Sequence, residues 1–328
     1  MTALSVLDLM MIGAGKTFAN TLADAALLAS HVEKHGYKRY WVAEHHDLPG
    51  IASSATALLI QHLAAETSSL RVGAGGVMMP NHSPLVVAEQ FGTLDTMFPG
   101  RIDLGIGRAP GSAGPAIRAL RGDASERDFS RDIQQLSDYL ADNGKQPVRA
   151  IPGNHSLPIW LLGSSPNSAD LAAKLGLPYA FASHFAPRFL MDAVKHYRAN
   201  FRPSPVLQKP YVIAGANVFA APTRAEAEYI ASSHRNWVSN LYSGEPGPLP
   251  EPQEGFMQEL SPQGQYNLAE AMACTVVGDK DDVGSWLREF IATTQADEVI
   301  IDARIHDPVA RCRSYQIAAE SIAEILDR

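Results

Sequence analysis

The chain has 328 residues, 46% of them hydrophobic and 19% charged, with 27 Lys and Arg against 35 Asp and Glu for a net charge of −8. A chain this long buries roughly three quarters of its unfolded surface, so its core needs no staples, and this composition excludes a disordered or fibrous protein. The acidic balance argues against nucleic-acid and anionic-membrane partners, both of which select basic patches. Cys274 and Cys312 are the only cysteines, which excludes a disulfide framework and a zinc ribbon. No run of 18 apolar residues is present, and the start Met1-Thr-Ala-Leu lacks the basic and apolar blocks of a signal peptide. A cytoplasmic protein with no membrane span is the expectation.

Short apolar, β-rich runs alternate with Ala/Leu/Glu-rich stretches of helical spacing. The first four predicted strands, each with its following helix, are Leu4–Leu9 with Ala19–His35, Arg39–Ala43 with Ala55–Thr67, Leu70–Val77 with Leu85–Met97, and Ile102–Gly107 with Arg127–Asp142. The second four are Ile159–Gly163 with Ala169–Leu175, Tyr179–Ser183 with Pro187–Asn200, Tyr211–Ala216 with Thr223–Asn240, and Glu298–Asp302 with Ala310–Leu326. Runs such as Trp160-Leu161-Leu162 and Val299-Ile300-Ile301 are too continuously apolar for half-exposed strands, and read as parallel strands covered on both faces. Eight such units predict a single-domain (β/α)₈ TIM barrel. A doubly wound open sheet is the alternative, but its phosphate fingerprints fail. Gly105-Ile-Gly107-Arg-Ala-Pro-Gly111 has its third glycine one position late, and Gly15-Lys16-Thr17 has Met10 where a P-loop needs glycine. Two segments interrupt the rhythm. Residues 144–158 suggest a short hairpin, and the Pro/Gly-rich 243–255 suggests a mobile lid inserted before the eighth strand.

A barrel of this kind places its chemistry at the C-terminal strand ends. Those ends carry Glu44-His45-His46, Gly75-Gly76 with His82, Gly107-Arg108, Gly163-Ser164-Ser165, Ser183-His184, Asn217, and Arg304 with His306. The turn Gly163-Ser164-Ser165-Pro166-Asn167-Ser168 leads from a strand into a helix. Free N–H groups, hydroxyls and the helix dipole suit a phosphate there, although plain N-capping by Ser165 or Ser168 explains the same residues. Arg108 at the neighbouring strand end tips the balance toward an anion. Gly73-Ala74-Gly75-Gly76 marks either tight barrel packing or a flat ligand pressed on the strand. A metal is not expected, because too few His and carboxylates converge. Met10, Met78, Met79 and Trp160 are candidate pocket walls, with plain barrel packing preferred for at least two of them.

These residues together resemble the luciferase-like flavin monooxygenases. Trp41-Val-Ala-Glu44-His45-His46 is similar to that family's second strand end. Leu70-Arg-Val-Gly73-Ala-Gly75-Gly76-Val with Pro80-Asn-His82-Ser-Pro84 is similar to its third unit. The run from Leu94-Asp95 through Gly100-Arg101 to Gly105-Ile-Gly107-Arg108, and Leu175-Gly-Leu-Pro178, extend the resemblance over most of residues 4–185. The resemblance implies a (β/α)₈ barrel that binds FMN. It places the phosphate on Arg108, Ser164, Ser165 and Ser168, the flavin ring beside a non-prolyl cis peptide at Gly75-Gly76, and His45 at the flavin. Gly107 and Ser164 depart from luciferase, which has cysteine and glutamate there, so light emission is not implied.

The expected activity is that of a monooxygenase using O₂ and reduced FMN from a separate flavin reductase on a lipophilic small molecule. The protein supplies positioning and the cofactor carries the chemistry. His45 is the catalytic candidate, able to donate to oxygen or take a proton near neutral pH. Deazaflavin-dependent hydride transfer and non-catalytic flavin binding are the alternatives. A homodimer is expected through the helices after strands two and three, as the family often shows.

Overall fold

The protein is described from a computed structural model that covers residues 2–109, 111–112, 114–121 and 128–326, with side chains as far as 322. Its first half runs β1 (Ala3–Asp8), α1 (Phe18–Lys34), β2 (Arg39–Val42), α2 (Thr56–Ala65), β3 (Arg71–Met78), α3 (Pro84–Met97), β4 (Ile102–Gly107), α4 (Gly114–Arg121) and α5 (Phe129–Ala141). The second half runs β5 (Ile159–Gly163), α6 (Pro166–Leu175), β6 (Tyr179–Phe181), α7 (Leu190–Asn200), β7 (Val212–Ala220), α8 (Arg224–Tyr242), α9 (Phe256–Glu259), α10 (Pro262–Ala271), β8 (Thr275–Gly278), α11 (Lys280–Thr294), β9 (Glu298–Asp302) and α12 (Pro308–Leu326).

All the ladders are parallel. β1 to β7 pair in sequence, β7 pairs β9, and β9 pairs β1, which closes an eight-stranded barrel. This is the predicted TIM barrel, with each predicted strand in place. The helices show why the sequence folds this way. In α1, Thr17 and Asn20 form a reciprocal cap, and Thr21, Ala25, Leu28, Ala29 and Val32 make one buried face at helical spacing.

Two expectations are corrected, and a third falls partly outside the described residues. The region before the barrel's eighth strand holds α9, α10, β8 and α11 as well as the Pro/Gly segment. β8 is a ninth strand that pairs only with the extension of β7, Asn217 opposite Thr275 through Ala220 opposite Gly278. Residues 144–158 form no hairpin. Pro147, Pro152 and Pro158 deny them ladder donors, and the segment is irregular. The predicted helix start at Arg127 lies outside the described residues, and the helix there begins at Phe129, capped by Asp128.

Strand side chains alternate between two layers. Outward residues such as Val6, Tyr40, Val72, Leu104 and Val299 join the main core under the helices. Inward residues Leu7, Trp41, Trp160, Ala180, Ile213 and Ile300 fill the barrel itself. The N-terminal floor is ionic. Arg39 bridges Asp103 at 2.7 Å and Glu298 at 2.7 Å, Arg71 adds 2.6 Å to Asp103, and Ser5 and Tyr211 complete Glu298. The Arg39 guanidinium lies 4.6 Å over the Trp160 ring. Every formal charge on this floor has an opposite partner. Met10, Met79 and Trp160 are buried packing residues, and Met78 alone of the four wall candidates is half-buried at the mouth.

Candidate active site

Gly107 on β4 stands opposite Leu162 on β5, so Arg108 and the Gly163–Ser165 turn leave adjacent strands side by side. Arg108 is exposed and makes no hydrogen bond or ion pair among the described residues. A side chain at Gly163 would collide with Ser168, so glycine lets the start of α6 close down on the strand end. Ser165 is the N-cap of α6 but its hydroxyl makes no cap bond. The half-buried Ser164 hydroxyl is likewise uncommitted. Ser168 differs. Its hydroxyl donates to Ser165 O at 2.7 Å and meets Tyr179 OH at 2.8 Å, which fixes the shape of the turn. One guanidinium, two free hydroxyls and an uncapped helix start therefore form a donor-rich corner.

The next wall is β3. The Gly75-Gly76 peptide is cis. A Cβ on Gly75 would lie 2.8 Å from Leu7 and 2.9 Å from Trp41, and one on Gly76 would lie 2.7 Å from Gly105 O. Close packing accounts for both glycines, against side chains at Gly75 and against the β4 backbone at Gly76.

Past β2 the period-two pattern persists. Arg39, Trp41 and Ala43 point inward, and His45 follows them. Its backbone N–H donates to Ser53 O at 2.9 Å, but among the described residues its ring makes no hydrogen bond, and the buried Nδ1 has no partner. Burial drives the His45 pKa down to about 4, Arg304 adds to this, and Glu44 opposes it. At pH 7 the ring is neutral, with one donor and one acceptor nitrogen.

Glu44 turns the other way and is a structural hub. Its Oε1 meets His82 Nε2 at 2.8 Å and His46 Nε2 at 2.9 Å, and its Oε2 accepts from Met78 N at 3.0 Å. Burial alone would raise this carboxyl, but the bonds from His82, His46 and Met78 hold it below its ordinary range. The ligand atoms of Glu44, His46 and His82 lie within 4.8 Å of one another, a set that could hold a cation. The spacing to Oε1 is that of hydrogen bonds. Ligand atoms of a tetrahedral site with bonds near 2.0–2.1 Å sit about 3.3 Å apart.

The opposite rim carries residues that the strand-end reading named but did not assign, and three that it missed, Asp302, His234 and Trp237. Asp302 ends β9 and Arg304 follows it, Asn217 lies on β7 beside Asp302, His184 follows β6, and His234 and Trp237 come from α8. His234 Nδ1, His184 Nδ1, Asn217 Oδ1 and Asp302 Oδ1 are buried without partners. Burial lowers His184 to about 4, with Arg304 helping and Asp302 opposing, and it pushes His234 well below its usual value. The signal for His234 was its place in the face Ala227, Ala231, His234, Val238, a polar residue at apolar spacing. Segment 243–255 covers this rim. Leu249 is wedged between Ile12 and Ala14 through backbone bonds of 2.9 and 2.8 Å, and Trp237 Nε1 donates to Gly247 O at 3.0 Å.

Fold and site together define a barrel enzyme with its chemistry at the C-terminal strand ends. The luciferase-like monooxygenase family model matches residues 3–298, and the chain belongs to that family. A luciferase-like monooxygenase of Escherichia coli (strain K12) is 47% identical over 99% of this chain and 98% of its own length. An N-acetyl-S-alkylcysteine monooxygenase of Bacillus subtilis (strain 168) is 33% identical over 98% of each chain. The crystal structure of apo-MsnO8 matches with a TM-score of 0.88 at 36% identity, covering 98% of this chain and 99% of its own. At 14% identity the fold alone is shared with an FMN complex of 3,6-diketocamphane monooxygenase, at a TM-score of 0.73 and 99% of each chain. It is shared too with an F420-dependent secondary alcohol dehydrogenase, at 0.65 over 98% of this chain and 99% of that one. No described helix is long and apolar enough to cross a membrane.

Proposed function

We propose that this chain is an FMN-dependent monooxygenase that receives reduced flavin from a separate reductase and oxygenates a small, partly apolar organic molecule. The observation that carries the reading is the uncommitted donor corner of Arg108, Ser164 and Ser165, set on the same rim as a neutral His45 with an orphaned ring nitrogen. These residues fit FMN. Arg108 and the α6 turn would hold the phosphate, with Ser168 shaping the turn and contributing its helix-start position. The flat face of Gly75-Gly76 would border the ring. Bound in reduced form, FMN supplies the electrons and the activation of O₂. His45 would hydrogen-bond the reacting oxygen or hold a proton at Nδ1, and being neutral near pH 7 it serves as acceptor as readily as donor. Segment 243–255 is a lid that moves to admit reactants and closes to exclude water. Two chains pair through α2 and α3, which leave Leu58, Val86 and Met97 at 72%, 44% and 50% exposure.

The test is a comparison of FMN with riboflavin. Arg108→Ala removes a charge-assisted contact, so FMN affinity falls roughly tenfold to a hundredfold. Riboflavin, which lacks the phosphate, is unaffected. Equal losses for both ligands would refute the assignment. Oxygen uptake with reduced FMN separates this function from deazaflavin hydride transfer and from passive flavin binding, neither of which consumes O₂ coupled to product.

A further inference from the structure

Arg304 is 4% exposed, yet much of its guanidinium is unused. A guanidinium has five N–H donors and keeps its charge at any ordinary pH. Asp302 Oδ2 meets both Nε, at 2.8 Å, and Nη2, at 2.7 Å. Among the described residues nothing accepts from Nη1. The Trp237 ring lies 4.6 Å beneath the guanidinium carbon and fixes its plane. What remains open is the end-on fork of Nη1 and Nη2, the shape that takes a carboxylate by two parallel hydrogen bonds.

The surroundings suit the same ligand. Arg304 lines a cavity of about 20 Å³ with His184, His234 and Trp237 on its polar side and Val238, Leu241 and Met272 on its apolar side. His234, 2% exposed, and His184 both line it, and each has a buried, unpartnered Nδ1 among the described residues, that of His184 lying against Gly215. Leaving such groups unpaired costs about 1–3 kcal/mol each, so a cluster of them points to a ligand that pairs them. In this closed arrangement the cavity has room for about one water. A larger group enters when the lid shifts, and the bond from Trp237 to Gly247 makes that shift felt at Arg304.

We propose that Arg304 anchors a carboxylate at one end of the substrate, with Trp237 and Asp302 positioning the guanidinium and His184 and His234 hydrogen-bonding the same group. This rests on the monooxygenase reading and narrows its substrate to an amphiphile, an acid with an apolar body, in place of a purely lipophilic molecule.

The probe is a series of straight-chain carboxylates from acetate to octanoate, each matched with its primary amide. Each is titrated calorimetrically into the full chain with and without FMN. At least one carboxylate is expected to bind tenfold or more tightly than its amide. The double variant Arg304→Met/Asp302→Asn, which leaves no unpaired buried charge, should abolish that preference. Arg304→Lys, which keeps the charge and loses the fork, should reduce it severalfold. No preference for any acid in the wild-type chain overturns the proposal, as does a preference that survives in both variants. Variants that weaken reduced-FMN binding and leave the preference intact also overturn it, because the guanidinium then serves the flavin. Failure of the wild-type chain to bind FMN with the acid preference present would strike the monooxygenase reading alone.

Discussion

The neutral histidines at the barrel mouth make stability strongly pH-dependent in a defined window. His45 and His184 are pushed down to about 4, and His234 lies well below its ordinary value. Burial is the first cause in all three. Arg304 repels the charged form of each, against Glu44 near His45 and Asp302 near His184. A ring whose folded pKa is depressed takes its proton first in the unfolded chain. Its contribution is therefore full above about pH 6.5 and is lost as the pH falls from there toward 4. At pH 5 His45 and His184 each cost about 2 kcal/mol, about 4 kcal/mol together, and His234 acts in the same direction. That is a large fraction of the stability of an ordinary domain, about 5–15 kcal/mol. The shifted carboxyls of Asp8, Glu33 and Glu44 are lowered and titrate below this window. His31 shifts the same way, but it is unchanged in the comparison below. Urea unfolding free energies measured from pH 7.5 to 5 should fall by several kcal/mol for the wild-type chain. The His184→Leu/His234→Leu double variant should show less than half of that slope. Carbon-13 NMR of the imidazole rings should find these three still neutral at pH 5. A wild-type change below about 1 kcal/mol, or an equal slope in the double variant, would refute the reasoning.

Arg39→Leu should destabilise the barrel by about 3–5 kcal/mol, because it takes the most buried cation from both Asp103 and Glu298 and leaves them only the half-buried Arg71 and the exposed Lys38; adding Asp103→Asn and Glu298→Gln should recover much of the loss in the urea midpoint. Leu249→Asp should free segment 243–255 from Ile12 and Ala14, and limited proteolysis within that segment should quicken at least tenfold with overall melting little changed. Leu58→Lys with Val86→Lys should give a monomer in sedimentation at micromolar concentration where the wild-type chain sediments as a dimer. Wild-type sedimentation as a monomer would remove the dimer outright.

The barrel was legible because each strand is a local run. Continuous apolar stretches flanked by glycine or proline carry their own signature, and the eight predicted strands all stand in the barrel. β8 escaped because Thr275-Val-Val-Gly278 is short and pairs only with the extension of β7, which the polar Asn217 had disguised as a strand end. The donor corner was legible for the same local reason, since Ser164, Ser165 and Ser168 are contiguous and Arg108 sits at the neighbouring end. The role of Ser168 was not. Its hydroxyl faces Tyr179, a partner on another strand. The Arg304 cluster draws on β6, β7, α8 and β9, and no spacing along the chain connects His184 to His234 or Trp237 to Gly247.

The two ends of the barrel treat polar groups in opposite ways. On the floor, Arg39, Arg71, Asp103 and Glu298 satisfy one another, so a change there is felt in stability. At the mouth, among the described residues, His45, His184, His234, Asn217 and Asp302 each keep a buried atom unpaired, and Arg108 makes no hydrogen bond or ion pair. The same sequence thus seals one end and leaves the other short of partners. Unpaired buried groups cost folding free energy, and a protein that retains five at one end of its barrel is built to recover that cost when reactants arrive. A ligand that fills the mouth should therefore stabilise the fold by more than the same ligand's contact area suggests, and should flatten the acid sensitivity of the three histidines as it does so.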